Sequence, residues 1–398
     1  MKEQICRLRG SVQHYAWGGL SFIPALINQP NPDKKPFAEY WLGAHPSASS
    51  YVELPDGTTA FLHHAIEHLP FKYIGKEVYN RFKGLPYLLK VLDVYEMLSI
   101  QVHPSKEEAE KGFAQEEAAG ISINAPHRNY KDKNHKPEVM VALSDFWLLH
   151  GFKKEQLLNE TLQAVPTFTA LQKIFTAGGY KELYRHVMEM PQQEADELLR
   201  PLVEAALSGT SDRKEPAFWV RKLYADAMPS SNFDRGIFSI YFFNIVHLQK
   251  GQAIFQGAGV PHAYLEGQNV ELMANSDNVL RGGLTPKHID VPELLKHIHF
   301  EGIKPNILSG EQNGQFEINF PLPTEEFGIS IITLTAGASY SSATYSAEIF
   351  LVMGGEVIIE GQLFVRGEAF VALANKKYTI TTSSEATVYK AFIPQPML

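Results

Sequence analysis

Between residue 153 and about residue 229 the apolar side chains change their period, and this change restricts the fold more than any other feature of the chain. On either side of it, apolar residues fall in short runs or alternate with polar ones, the period-two pattern of strands in a sheet. Residues 87–93, 97–103 and 138–149 have this character before the change. Residues 237–248, rich in β-branched and aromatic side chains, resume it and carry it past His262. Within the interruption, Leu198, Leu199, Leu202, Val203 and Ala206 fall on one face of a helix with 3.6 residues per turn. The pattern predicts a mainly β chain whose sheet is split by an α-helical insertion.

At 398 residues the chain exceeds what one hydrophobic core usually supports. The expected division is a β-domain in two parts, 1–152 and 231–310, a helical insertion over 153–230, and a second β-domain over 311–398. Strand signals crowd that last part at 329–335, 348–353, 356–360 and 378–382, and Gly354-Gly355 predicts a hairpin turn. A helix is expected near Asp290, where Asp290 and Glu293 have capping-box spacing and Pro292 suits a first turn.

A net charge of -8 provides no basic field for nucleic acid or an anionic membrane, so an anionic ligand needs locally placed cations. Cys6 is the only cysteine, which excludes intrachain disulfides and thiolate clusters and suits a reducing compartment. Any metal must be held by imidazole, carboxylate or amide groups. All 15 histidines lie at or before His299, so the last β-domain cannot supply imidazole to one. No run reaches the length of a membrane span, and residues 1–10 lack the apolar core of a secretory signal. The expectation is a cytoplasmic protein with a small-molecule partner. No oligomeric state follows from the sequence, a monomer being the simplest expectation.

Two segments concentrate reactive side chains. In Gln101-Val102-His103, alternation sends an amide and an imidazole to one face. Downstream, Tyr130-Lys131-Asp132-Lys133-Asn134-His135-Lys136-Pro137-Glu138 runs into an apolar strand, placing Glu138 at the edge of a core where an unpaired carboxylate is costly. Pro137 biases its neighbours toward extended backbone, so Lys136 and Glu138 should project to one side. In the second segment, His262 and Tyr264 share a face after the turn-like residues 257–261, followed by Glu271, Asp277, Asn278, Arg281 and Lys287. Arg281 could pair with Asp277 four residues away, or bind an anion beside Gly282-Gly283, where backbone amides can approach closely.

These segments closely resemble the type I mannose-6-phosphate isomerases, whose pattern Y-x-D-x-N-H-K-P-E is matched in full by residues 130–138. Seven fixed positions at ordinary residue frequencies coincide by chance roughly once in 10⁹ windows, so the match is specific. The second family signature is matched at His262-Ala263-Tyr264, Glu271, Met273-Ala274, Ser276-Asp277-Asn278, Arg281 and Thr285-Pro286-Lys287, with Gly282 where the family commonly has alanine. Tyr15-Ala16-Trp17-Gly18, residues 38–43 and Gln101-Val102-His103-Pro104 extend the similarity over most of residues 12–290.

The resemblance implies a cupin or jelly-roll catalytic domain with one Zn²⁺ per chain, held by Gln101, His103, Glu138 and His262. It implies interconversion of mannose 6-phosphate and fructose 6-phosphate through an enediol. Lys136 is the favoured acid-base group, with His135, Glu271 and Asp277 as competitors; Arg281 would serve the enediolate or the phosphate. Lys287, Trp17 and Tyr264 complete the expected substrate contacts. Two rival readings are an iron-dependent cupin oxygenase, which Gln101 as a fourth ligand fits poorly, and a sugar-binding cupin, which has no need of Lys136, Asp277 and Arg281 together.

Overall fold

The computed structural model describes residues 5–54 and 57–396, so the first four residues of the N-terminal stretch considered for a signal lie outside it. An eleven-stranded antiparallel sheet carries both reactive segments. Its main path runs Ile307–Leu308, Ala253–Gln256, Glu138–Ala142, His262–Ala274, Tyr87–Val94, Glu39–Gly43 and Ser11–Gln13. The long strand His262–Ala274 belongs to two arms of this sheet. Its later half pairs with Tyr87–Val94 and Glu138–Ala142, and its first residues pair with Phe146–Phe152 and Gln101–Val102. The bend falls at Gly267, where φ is 128°, just after a register shift between Tyr264 and Glu266. A Cβ there would lie 2.7 Å from the Asp145 carbonyl oxygen, so only glycine lets the strand turn this corner.

Alternation then sorts the side chains. Leu89, Val91, Val139, Val141, Val270 and Leu272 face outward and pack against Ile349, Leu351, Val371 and Tyr389 of the C-terminal part. Leu92, Val94, Met140 and Ala142 face inward with Phe146, Leu148, Ile254 and Tyr264. Lys90, Glu138 and Glu271 share the parity of the inward set, which is how three charged groups come to lie inside the fold. Both faces of Tyr87–Val94 are buried, and Lys90 and Asp93 are its only charged members.

The helical interruption comprises Glu155–Ala164, Thr169–Glu189, Gln192–Ser208 and Pro216–Leu223. Leu199, Leu202, Val203 and Ala206 are buried as the period predicts, in a core shared with Leu149, Ala263, Leu265 and Leu280 of the bent arm. The helix expected near Asp290 is Val291–His297, and the Asp290 carboxylate accepts from the Glu293 amide at 3.0 Å.

The C-terminal part is a nine-stranded sheet facing a four-stranded one. Ile5–Arg9 pairs with Ala369–Ala372, and Tyr51–Glu53 and Thr59–Phe61 follow outward from it. Sequence position assigns these strands to the first part of the catalytic domain, 1–152. They cover what would otherwise be an open sheet edge, so the division by sequence position does not hold there.

Three local expectations need correction. Gly236–Phe242, within the run read as strand, is an α-helix, and the strand begins at Phe243. All seven helical residues are buried, and a uniformly apolar run gives no period to distinguish the two. Residues 97–103 contain only the short strand Gln101–Val102. Gly354-Gly355 is not a hairpin: Glu348–Gly354 and Glu356–Ile359 lie in different sheets. The two-residue hairpin lies next along the chain at Glu360 and Gly361, with φ of 49° and 76°, the positive values such a tight turn requires. Among the described residues no helix is long and apolar enough to cross a membrane.

Candidate metal centre and active site

Glu138 and His262 are each the first residue of a strand, and His103 directly follows Gln101–Val102. Cross-strand pairing brings His262 and Arg281 to opposite sides of Gln101. The result is a compact set: Nε2 of His103 lies 3.3 Å from one Glu138 oxygen, and Nε2 of His262 lies 3.4 Å from the other. Both Nδ1 atoms lie 2.9 Å from backbone carbonyl oxygens, those of Asn278 and Val260. A carbonyl can only accept, so each ring carries its hydrogen on Nδ1 and turns the Nε2 lone pair toward Glu138.

Two lone pairs facing a buried carboxylate repel unless a cation lies among them. The buried Nε2 of His103 has no hydrogen-bond partner, and one ligand atom from each of His103, Glu138 and His262 falls within 4.8 Å of the others. Burial pushes His103 down to about 4, with Glu138 opposing, so the ring is neutral at ordinary pH and able to bind metal. Burial alone would raise Glu138, yet Lys136, then His103, hold it well below the usual carboxylate range. Gln101 lines the same cavity, completing a nitrogen and oxygen donor set that fits zinc.

Lys136 Nζ lies 3.2 Å from Glu138, on the side Pro137 predicts. The cavity wall continues through Tyr264 and Glu271, joined by a 2.8 Å hydrogen bond from the phenol to the carboxylate. The other Glu271 oxygen accepts from Lys90 at 3.1 Å, and Lys90 lies 3.7 Å from Glu39, which accepts from the Trp41 indole. Burial would lower Lys90, but Glu39, Glu271 and Glu138 together hold it above its ordinary range, fully protonated. Burial pushes Glu271 up, with Lys90 opposing.

The remaining candidates lie farther out. Arg281 is half-buried, lowered by desolvation, and pairs with no carboxylate among the described residues. The pair weighed between it and Asp277 does not form, since the Asp277 carboxylate lies 3.6 Å from His45 Nε2. Lys287 is exposed and lowered by partial burial, then by Arg281; Lys131 also feels the Arg281 charge. Trp17 is partly buried against the inward core and stacks with Tyr15 at 5.9 Å. His135 and Asp277 do not line the metal cavity. They line an outer cavity of about 880 Å³ together with His45, Arg81, Lys131 and Glu326.

Four contributors have no role assigned by the sequence alone. Lys90 is detectable as a lysine inside an apolar strand, a position that demands a partner. Glu39 gives no local signal. Asn278 grips the loop of the first signature: its Oδ1 accepts from Lys131 N at 2.7 Å, and its Nδ2 donates to the carbonyls of Asp132 and Asn134 at 2.9 and 2.8 Å. Glu326 reaches His135 from the C-terminal part.

Residues 5–155 match the family described as phosphomannose isomerase type I, catalytic domain. The mannose-6-phosphate isomerase of Salmonella typhimurium is 40% identical over 359 residues, 89% of this chain and 90% of that one. The mannose-6-phosphate isomerase of Mus musculus is 31% identical over 417 residues, covering 97% and 95%. The crystal structure of mannose 6-phosphate isomerase from Salmonella typhimurium bound to its substrate fructose 6-phosphate and zinc superposes with a TM-score of 0.88, at 35% identity, over 98% of this chain and 100% of that one.

Proposed function

Because this chain belongs to the type I phosphomannose isomerase family, we propose that its inner cavity is where D-mannose 6-phosphate and D-fructose 6-phosphate are interconverted at a zinc ion. The observation that carries the assignment is the unpartnered Nε2 of His103, aimed with His262 at the buried carboxylate of Glu138. Family membership leaves the oxygenase and the binding-module readings without support.

Gln101, His103, Glu138 and His262 would hold the zinc. When bound, it supplies a Lewis acid that polarises the sugar oxygens and spreads the negative charge of the enediolate. The chain's own groups do the rest. Lys136, beside Glu138, is the proposed group that moves the proton between C1 and C2. Tyr264, Glu271 and Lys90 form a hydrogen-bonded wall whose fixed dipoles and charges face the reacting carbons without reorganising. Arg281 takes the anion, supported by Lys287 and Lys131, since no protein carboxylate competes for its guanidinium among the described residues. The proposed setting is the cytoplasm, a reducing compartment that the lone cysteine suits.

A coupled assay for fructose 6-phosphate formed from mannose 6-phosphate, before chelation, after it and after zinc addition, tests this reading. Activity should fall to background with the metal and return with zinc; activity indifferent to both treatments would rule out the metal site.

A further inference from the structure

His135 sits in the first signature, between Asn134, which is fixed by hydrogen bonds to Asp132 and to the Asn275 carbonyl, and Lys136, which reaches Glu138. Its ring is held from a distant part of the chain. Nε2 lies 2.6 Å from a carboxylate oxygen of Glu326, 191 residues later, and both side chains are largely withdrawn from solvent. The other Glu326 oxygen accepts from the Thr324 hydroxyl at 2.5 Å. Burial would raise this carboxyl, yet His135, then Thr324, bring it down to about 2, so it is an acceptor at any working pH.

The loop carrying Glu326 leads into Gly328–Leu334, which pairs along its whole length with Ala386–Phe392. The neighbouring Glu325 pairs with Arg81 on the helix Lys76–Phe82, so the loop is tied down on a second side. Glu326 is therefore a fixed acceptor mounted on the C-terminal sheet and lining the outer cavity together with His135.

We propose that Glu326 is a positioning residue for the isomerisation, acting through His135; this rests on the site assignment made above. A carboxylate can only accept, so Nε2 carries a hydrogen pointed at Glu326, and in the neutral ring that leaves Nδ1 as the acceptor nitrogen. It also fixes the orientation of the ring, and with it the backbone immediately before Lys136 and Glu138. Small displacements of groups that must meet the reacting carbons are costly, since misplacement by about 1 Å can lose on the order of 10² in rate. The C-terminal β unit, which lacks histidine altogether, thus contributes to catalysis by aiming a histidine that belongs to the other unit.

The test uses full-length, zinc-loaded enzyme. Glu326→Ala should keep its zinc and its KM within about threefold while kcat falls about tenfold, within what a small displacement of Lys136 can cost. Glu326→Gln retains an acceptor oxygen and should recover most of the loss. In a His135→Ala background, adding Glu326→Ala should cost nothing more, because both changes remove one interaction. An unaltered kcat in Glu326→Ala, or additive losses in the double variant, would overturn the proposal. If Glu326→Ala does not fold, Thr324→Val removes the group that orients the carboxylate, and an unchanged kcat there overturns it as well. Failure of the site assignment itself looks different, since the parent enzyme would then show no zinc-restorable activity.

Discussion

The molecule contains two buried ionic clusters built from nearly the same residues, and only one of them is an active-site candidate. In the catalytic sheet, Lys90 lies among Glu39, Glu271 and Glu138, with Tyr264 donating to Glu271. In the C-terminal sandwich, Lys390 pairs with Glu317, Tyr340 and Ser330 donate to Glu317, and Tyr378 donates to Glu348 at 3.0 Å. Both arise because inward-facing strand positions carry charge and must find partners inside. The first differs by adding two imidazoles with free lone pairs, an open cavity and the cations Lys136 and Arg281 near it. Buried charge is therefore not what marks the site. The mark is a set of donor atoms converging on one point: His103 Nε2, which has no hydrogen-bond partner, lies with ligand atoms of Glu138 and His262 all within 4.8 Å of one another.

The largest expected contrast is between the two clusters' carboxylates. Glu138→Ala should lose zinc, measured by metal analysis, and isomerase activity by about 10³ or more; Glu317→Ala should leave kcat unchanged. Retention of zinc by Glu138→Ala would remove it from the ligand set. Next come the two lysines. Lys90→Met should lower kcat about 10²-fold, because Glu271 loses the partner that fixes it. Lys390→Met should keep kcat within about twofold yet cost about 3 kcal/mol in urea unfolding, since it leaves a buried carboxylate uncompensated. Equal loss of activity in both would erase the distinction drawn between the clusters.

The smallest effect concerns protons. Burial pushes Glu348 up to about 7, with Lys390 opposing, so the folded chain holds a proton there that the unfolded chain has already released. Stability from this group is thus present at acid pH, declines as pH rises from about 4.5 toward 7, and is flat above that, by on the order of 3 kcal/mol. Glu348→Gln should remove this component, so the difference between variant and parent stabilities should change across that window and nowhere else. A constant difference from about pH 4 to pH 8 would show that Glu348 does not titrate there.

Several parts of the site are legible without any fold. The segment ending in Lys136-Pro137-Glu138 is local, and Pro137 acts on its immediate neighbours, so the shared side of Lys136 and Glu138 follows from backbone geometry. The lone cysteine leaves imidazole among the few available donors, and it is the resemblance of their motifs to the family's that selects His103 and His262 from the 15 histidines. Lys90 is harder, since its partner Glu271 lies 181 residues away. The helix Gly236–Phe242 reads as strand because a run buried on every side erases the periodicity that separates the two. Gly354-Gly355 misleads for another reason: two adjacent glycines allow a sharp change of direction, but do not say which sheet the next strand will join.

The sequence by itself determined the donor chemistry, the split of the β-structure by helices, and the loop that carries the catalytic candidates. These depend on residue type and on spacings of a few residues, where backbone geometry is nearly fixed. Only the tertiary structure decided which charges meet. Lys90 with Glu271, the Asn278 carbonyl with His103, and Glu326 with His135 are joined by strand register and packing, which couple positions more than a hundred residues apart.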